Sequence, residues 1–364
     1  MDVSIALRHD SFHEVAHQIV RAGATVSLSA ETHRTRTGVE MVRLSNHEGW
    51  VEVLPFMGAM VWDACFLGVR LGMGSKFPAP RPATGILGTY GCLLFHAGLL
   101  RNGCPGPEDT HALHGEMPCA AMDDATLYLG EDAAGPYLRL VCTVDHAEGF
   151  GPHYRASPSV TLRPGQTMFE VGMQVRNLAS RPMDLMYMAH ANFAFPVGAR
   201  ILQPAPWTPE HVRVRTAAPG HVQPTPEFLA RLDALALHPG RLELLDPALC
   251  NPEQVFYLHG LRTDEAGWAH LALLREEGDG FALSYRPSEF PHLVRWLLYD
   301  GDEQVAAFAL PSTCEPEGYA AEKRKGNVQS LGSKETRRFT VRLGWLDAAA
   351  MTRRQGLINE ALAS

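Results

Sequence analysis

Four short segments concentrate side chains that could carry acid–base chemistry. In chain order they hold His96 and Arg101, then His111, His114 and Glu116, then His190 and Asn192, and finally Glu315. The densest is "EDTHALHGEMP" (residues 108–118), which holds almost no bulky apolar residue and is therefore not expected to build core. Histidines and carboxylates exchange protons near neutral pH, so the four segments favour acid–base chemistry on a polyhydroxylated ligand such as a sugar.

His190 is the most suggestive of these residues taken singly. It lies in the apolar run "LMYMAHANFAFP", where two-residue alternation puts Met188, His190 and Asn192 on one face of a strand. A face that changes from methionine to histidine to asparagine runs from core into a polar site. The alternative is a buried histidine satisfied by a backbone carbonyl. Glu315 follows an apolar strand, a position where a glutamate is commonly only solvated.

Two other chemistries fit the sequence less well. A metal could take nitrogen and oxygen ligands from the histidine-rich segments, but no HExxH or other spaced ligand set occurs, so we expect no metal. Nucleophilic catalysis is disfavoured because there is no GxSxG and no cysteine with an activating neighbour.

Composition narrows the partners and the compartment. The net charge of −8, with no basic run longer than "EKRKG" (322–326), argues against nucleic acid. No apolar run reaches the roughly 20 residues of a membrane helix, and the first residues lack a signal peptide's pattern. The odd, widely spaced set of seven cysteines is typical of reduced thiols. We therefore expect a cytoplasmic protein with no membrane partner.

The elements that position these residues are predicted mainly as strands. From Glu40 onward, short alternating apolar runs are broken by turn signals, which indicates an all-β, mainly antiparallel fold: a large β-sandwich with a few helical additions. One example is "SVTLRPGQTMFEVGMQVRN" (159–177), where an "RPGQ" turn joins two strands and Phe169, Val171, Met173 and Val175 form a buried face. We expect residues 25–350 to form a single catalytic domain.

Three segments are predicted to lie outside the sheets. Residues 11–21 show helical spacing of apolar residues and a Ser11–Glu14 capping box, which predicts a helical extension over residues 1–24. Residues 204–252 are predicted as an insertion whose helix is capped by Thr225, with Pro226 at its first position. This insertion is interpreted as a lid or wall over a cleft, or else as a surface helix. Residues 351–364 are predicted as a C-terminal tail.

Over residues 38–346 the chain resembles the aldose 1-epimerase (galactose mutarotase-like) superfamily, in an uncharacterised branch of aldose 1-epimerase-like proteins. "HALHG" is similar to the family's Asn-x-x-His-Gly motif, which puts His114 on the substrate-binding histidine. "AHANFAFP" is similar to its Asn-His-x-x-Phe segment, which implies that His190 is the general acid. "CEPEGY" is similar to the Glu-Pro segment of the general base, Glu315. Arg101 matches a substrate-binding arginine.

The resemblance implies a galactose mutarotase-like supersandwich and an isomerase that interconverts the anomers of an aldose. Such ring opening needs no cofactor, and the expected partner is a small-molecule sugar. The family's sugar-binding aspartate, in an Asp-x-x-Phe stretch, has no clean match; "FYLHGLRTDE" offers His259 or Asp264 instead. We expect His190, Glu315 and His114 to carry the reaction. The predicted substrate-binding residues are His96, Arg101, His111, Glu116, Asn192 and His259.

Several alternatives stay open at this point. The fold could carry another sugar enzyme, such as a metal-dependent isomerase, a lyase or a hydrolase, or a carbohydrate-binding protein without turnover. The sugar could be phosphorylated, since Arg101, Lys323 and Arg324 could meet a phosphate. The chain could also form a homodimer.

Overall fold

The computed structural model describes residues 3–20, 27–217 and 222–363. Within these residues the strands are β1 (Val3–Leu7), β2 (Val15–Val20), β3 (Ser27–Arg34), β4 (Glu40–Asn46), β5 (Gly49–Leu54), β6 (Met60–Phe66), β7 (Val69–Arg70), β8 (Leu94–Leu99), β9 (Asp124–Asp132), β10 (Gly135–Ala147), β11 (His153–Leu162), β12 (Met168–Asn177), β13 (Met183–Ala191), β14 (Arg200–Leu202), β15 (Val212–Val214), β16 (Gln254–Leu258), β17 (Ala269–Leu274), β18 (Gly280–Tyr285), β19 (His292–Tyr299), β20 (Gln304–Ser312), β21 (Gln329–Leu331) and β22 (Thr336–Leu346). The helices are α1 (Pro226–Leu237), α2 (Tyr319–Lys325) and α3 (Ala348–Ala363).

The described strands form two antiparallel sheets, which confirms the predicted all-β sandwich. A nine-stranded sheet has the order β1-β9-β10-β11-β12-β22-β18-β17-β14. A thirteen-stranded sheet has the order β15-β16-β19-β20-β13-β8-β6-β5-β4-β3-β2, with β21 paired to β13 and β7 to β6. The strands predicted on either side of the "RPGQ" turn are β11 and β12, and the four alternating residues of β12 are buried.

The core lies between the two sheets and is held by rings from both. Tyr187 on β13 packs on Phe339 of β22 with ring centroids 4.9 Å apart, and Phe66 on β6 packs on Phe169 of β12 at 6.3 Å. Strand β13 pairs with the whole of β8, from Met186↔Leu99 to Ala191↔Leu94. Because side chains alternate along this pair, its two faces see different surroundings, and this alternation positions the candidate site.

The predicted helix over residues 11–21 is wrong, because β2 occupies residues 15–20. This strand pairs with β3 from Val15↔Thr32 to Val20↔Ser27, and the Thr32 side chain accepts a hydrogen bond from the Val15 N–H at 3.2 Å. Ladder hydrogen bonds with the next strand of the chain outweigh the local helical spacing, which carries no information about that partner. Residues 1, 2 and 21–24 of the predicted extension lie outside the described residues.

The segment 204–252 holds both a helix and a strand. Helix α1 has Thr225 at its N-cap, where the side chain accepts from the Phe228 N–H at 3.2 Å, and Pro226 opens the helix, as the sequence predicts. Within the same segment, β15 pairs with β16 and so joins the thirteen-stranded sheet. Residues 218–221 lie outside the described part of the chain.

The predicted C-terminal tail is helical. Helix α3 buries Met351 and Ile358 in a small cluster with Leu202, Ala272 and Ala282 of the nine-stranded sheet. Since α3 begins at Ala348, it crosses the predicted boundary at residue 350. Across the described residues, no helix combines the length and the apolar character needed to cross a membrane.

Candidate functional site

His114 and His190 line one cavity of about 950 Å³, which we call the histidine cleft. Its aromatic walls are Phe77, Tyr90 and Trp296. The charged residues that line it are Lys76, Arg215, Glu253, Asp300 and Glu303. A concave site with apolar walls and a few polar groups is typical of small-molecule binding.

The imidazole rings of His114 and His190 meet edge to face, with centroids 4.9 Å apart. His190 is on β13, and His114 is on the loop between β8 and β9 with a φ of 60°. Two backbone hydrogen bonds fix this loop residue: its N–H donates to Gly103 O at 3.0 Å, and its carbonyl accepts from Gly98 N at 2.8 Å. Two histidines from distant segments are thus held together, as proton-transfer chemistry would need.

The glycine of "HALHG" has a steric role. Gly115 has a φ of +82°, and a Cβ built on it would lie 2.0 Å from the carbonyl oxygen of Arg101. A side chain there would therefore need both an unfavourable backbone conformation and movement of the neighbouring chain. Gly115 lets the loop pass close to residue 101 and so present His114 to the cleft.

Burial keeps both histidines neutral at neutral pH. The His190 ring stacks on Phe95 with centroids 4.4 Å apart, and Trp296 lies at 5.8 Å. Desolvation lowers the pKa of His190 to about 4. Desolvation, followed by the neighbouring His190, lowers the pKa of His114 well below its ordinary value. Neutral imidazoles can accept protons from a ligand.

Asn192 lies behind His190. Its Oδ1 is 2.8 Å from His190 Nδ1, and its Nδ2 donates to the Cys92 carbonyl at 3.1 Å. Asn192 is fully buried. The predicted substrate-binding residue is therefore in contact with the candidate catalytic histidine.

Glu253 is a site residue that the sequence reasoning missed. It lines the histidine cleft, and its carboxylate accepts from Arg215 Nη2 at 2.9 Å and from Trp296 Nε1 at 2.6 Å. The signal was present as Glu253-x-x-Phe256, the expected Asp-x-x-Phe spacing with glutamate in place of aspartate. The sequence offered His259 or Asp264 in place of that aspartate. His259 is exposed, Asp264 is hydrogen-bonded to His270 at 2.9 Å, and neither lines the cleft.

Glu315 lies in a cluster of charges next to the cleft. Its carboxylate accepts hydrogen bonds from Arg213 and from Lys325 Nζ, the latter at 2.7 Å. Pro316 lines the histidine cleft, whereas Glu315 is not among its lining residues. The role of Glu315 as a general base stays a prediction.

The same cluster contains the carboxylates that could hold a metal ion. Oxygens of Glu315, Glu317 and Glu322 lie within 4.8 Å of one another, but Lys325 Nζ contacts all three at 2.7–2.9 Å. Burial disfavours the charge on Lys325, yet the hydrogen bonds to the three carboxylates outweigh it and raise the pKa of Lys325. A stably charged ammonium group fills the place that a cation would take.

Arg101, His111 and Glu116 line a second cavity of about 820 Å³, which we call the arginine cleft. The Arg101 guanidinium lies 3.6 Å from the centroid of the Tyr319 ring. Glu116 Oε1 accepts from the backbone N–H groups of residues 99 and 100 and from the Tyr154 hydroxyl, each at 2.8 Å. Segment 108–118 therefore separates two clefts, with His114 in one and His111 and Glu116 in the other.

His96 is in the core and lines neither cleft. Its ring is fully buried with Nδ1 2.8 Å from the Tyr187 hydroxyl, and desolvation lowers the pKa of His96 to about 3. The cause is strand register: Ala189 pairs with His96, and His190 pairs with Phe95. Phe95 and His190 share the cleft face, so His96 points to the opposite face.

The model of the family described as "Domain of unknown function (DUF4432)" matches residues 36–224 and 240–344, so the unmatched stretch between them contains α1. No curated protein matches the chain.

Solved structures show the fold. A Klebsiella pneumoniae protein provisionally named an aldose 1-epimerase is 17% identical with a TM-score of 0.80, covering 100% of this chain and 96% of that one. A galactose mutarotase-like protein from Clostridium acetobutylicum is 14% identical with a TM-score of 0.58, covering 88% and 99%. The chain belongs to the DUF4432 family and has the fold of galactose mutarotase-like proteins.

Proposed function

We propose that the protein interconverts the anomers of an aldose in the histidine cleft by acid–base ring opening and closure. The observation that carries this proposal is the pair of neutral imidazoles 4.9 Å apart, His114 and His190, in a cavity that also holds a carboxylate. The likeness in fold to aldose 1-epimerase-like proteins supports it.

The walls of the cleft suit a sugar. The rings of Tyr90 and Trp296 lie 5.8 Å apart and offer apolar surface to the C–H face of a pyranose. Glu253 and Arg215 offer an acceptor and donors to hydroxyl groups. This combination can hold a neutral polyhydroxylated ring while leaving its anomeric carbon beside the histidines.

Ring opening moves one proton. The anomeric hydroxyl loses its proton as C1 becomes a carbonyl, the bond from C1 to the ring oxygen breaks, and the ring oxygen gains a proton. Because His190 is neutral in the free protein, it must take up a proton before it can donate one. The anomeric hydroxyl supplies that proton through Glu315, which takes it from the hydroxyl and passes it on to His190. Rotation about C1–C2 and the reverse steps give the other anomer, and no step needs a cofactor.

Glu315 is the base in this proposal, which requires its carboxylate to reach the anomeric hydroxyl. Arg213 and Lys325 hold its carboxylate, so Glu315 would have to exchange one of these partners for the sugar. Glu253 is the competing carboxylate because it lines the cleft. Its ion pair with Arg215 places the same requirement on Glu253, and in this proposal Glu253 binds a sugar hydroxyl.

The test is anomer exchange of an aldose panel measured by NMR with and without the wild-type protein. Faster exchange for at least one sugar, saturable in that sugar, is the expected result. The same samples give sugar binding by saturation-transfer NMR. A protein that binds none of the sugars and accelerates none of them would contradict the proposal.

A second candidate function is carbohydrate binding without turnover. The ion pairs of both Glu253 and Glu315 favour it, because each carboxylate already has a guanidinium or ammonium partner in place of the anomeric hydroxyl. This function predicts saturable binding of a sugar whose anomer exchange rate the protein leaves unchanged.

A further inference from the structure

The amide of Asn192 has a fixed orientation. Its backbone N–H donates to Leu93 O at 2.6 Å, and its carbonyl accepts from Met73 N at 3.1 Å, which holds the residue from both sides. The side-chain Nδ2 is 3.1 Å from the Cys92 carbonyl oxygen. Only an NH₂ group can face a carbonyl oxygen at this distance, so Oδ1 must be the atom that faces His190.

The amide orientation fixes the tautomer of His190. Asn192 Oδ1 can only accept, so His190 Nδ1, 2.8 Å away, carries the proton. The neutral ring then has its lone pair on Nε2. Phe95 stacks on the ring with an interplanar angle of 16°, and Trp296 lies against it, so the imidazole cannot exchange its two nitrogens without moving these neighbours. Nε2 is the nitrogen left for a ligand in the histidine cleft.

We infer that Asn192 is a positioning residue, which fixes the Nδ1–H tautomer of His190 so that Nε2 begins the reaction as a proton acceptor. This inference rests on the proposed function for its catalytic meaning. It reassigns Asn192 from the substrate-binding role that the sequence suggests, because both ends of its amide are used within the protein. His190 would become the proton donor to the ring oxygen only after it has accepted a proton.

Among the described neighbours of His190, Asn192 is the group that sets its tautomer. His114, on the loop before β9, contacts the ring, but burial keeps His114 neutral as well. Tyr90 meets the ring edge to face with centroids 6.3 Å apart, and burial raises the pKa of Tyr90 well above its ordinary value. Phe95 and Trp296 are not titratable. No carboxylate among the described residues hydrogen-bonds to His190, so the amide supplies its orientation without supplying charge.

The first test is the tautomer itself, which requires no activity. In the wild-type protein labelled with ¹⁵N-histidine, long-range ¹⁵N–¹H spectra at neutral pH should show His190 protonated at Nδ1 and not at Nε2. The His190→Gln protein assigns the resonance by its disappearance. A His190 protonated at Nε2, or an equal mixture of tautomers, would overturn the inference even if anomer exchange is fast. The expected tautomer without any anomer exchange would leave the inference standing and reject the proposed function.

The second test separates positioning from sugar binding. In Asn192→Asp, a carboxylate replaces the amide, and its oxygen still accepts from Nδ1–H, so the tautomer is kept. The negative charge favours the protonated form of His190, so the acid limb of the pH profile of kcat/KM should move to higher pH. In Asn192→Leu, the tautomer is released, and kcat should fall by roughly 10–100-fold with KM little changed. A rise in KM with kcat and the pH profile unchanged in both variants would mean that Asn192 contacts the sugar instead. The aspartate variant keeps the test decisive should the leucine variant fail to fold.

Discussion

The imidazole of His190 lies 4.9 Å from that of His114 in the histidine cleft, although the two residues are 76 positions apart in the chain (190 − 114). One ring is set by β13 and the other by a loop that a glycine allows to pass close to its neighbour. Both rings are desolvated and neutral. This relationship is the centre of the proposed acid–base chemistry.

Glu315 and Glu253 should affect different kinetic constants. Glu315→Gln removes the proposed base and should lower kcat by roughly 10²–10⁴-fold. Glu253→Gln weakens a contact to sugar hydroxyls and should chiefly raise KM. The measurement is the concentration dependence of anomer exchange for the best sugar of the panel.

Glu170→Gln is the matched control for these two variants. Glu170 also pairs with an arginine, Arg342 at 3.3 Å, but on the surface of the nine-stranded sheet. It should leave both constants unchanged. Full activity of Glu315→Gln, with kcat lost only in Glu253→Gln, would transfer the role of base to Glu253.

The loop that carries His114 should depend on Gly115. In Gly115→Ala the new Cβ would lie 2.0 Å from Arg101 O, so the loop must move and the protein should lose both stability and anomer exchange activity. The matched variant is Gly38→Ala, whose φ of +88° is similar but whose Cβ would meet no atom within 4 Å. Gly38→Ala should cost only the backbone term of about 1–2 kcal/mol, with activity kept. Equal losses of unfolding free energy in the two variants would show that the close approach at Gly115 is unimportant.

Stability should fall in mild acid because of His96. Its pKa is lowered to about 3 in the folded protein, against about 6.5 unfolded. The unfolded state therefore binds the extra proton first, and stability present above pH 6.5 is lost as the pH falls from there toward 3. Between pH 7 and pH 5 the loss from His96 should be about 2 kcal/mol.

Urea unfolding at pH 7 and pH 5 measures this loss against His96→Gln, in which the titrating group is absent. The wild-type protein should lose more free energy of unfolding than the variant over this interval. Identical losses would mean that His96 is not held neutral by its burial.

The spacing of apolar residues predicts a strand where that spacing alone determines the structure. The two-residue alternation of Phe169, Val171, Met173 and Val175 is enough to predict β12, because a half-buried strand needs just that pattern. The spacing of apolar residues over 11–21 fits a helix, but residues 15–20 form a strand because β2 pairs with β3. The partner strand β3 begins at Ser27, outside the segment, so the spacing of residues 11–21 holds no information about the pairing.

The candidate site also contains residues that a short motif predicts and residues whose position depends on contacts between distant segments. His114 and His190 could be predicted because each lies in a short motif, whereas Glu253 was missed because glutamate stands where aspartate was expected. The register of β8 against β13 separates His96 from the cleft, and no single strand reveals that register. The clamping of Glu315 by Arg213 and Lys325 joins three distant segments and could not be read from any of them.

The most direct test of the account compares anomer exchange by the wild-type protein, His190→Ala and His146→Ala on one sugar. His146 also stacks on an aromatic ring, Tyr154 at 4.8 Å, but lies outside both clefts, so its variant controls for loss of a stacked histidine. Exchange should be at least about 100-fold slower for His190→Ala and unchanged for His146→Ala. Undiminished exchange by folded His190→Ala would contradict the claim that this histidine carries the proton.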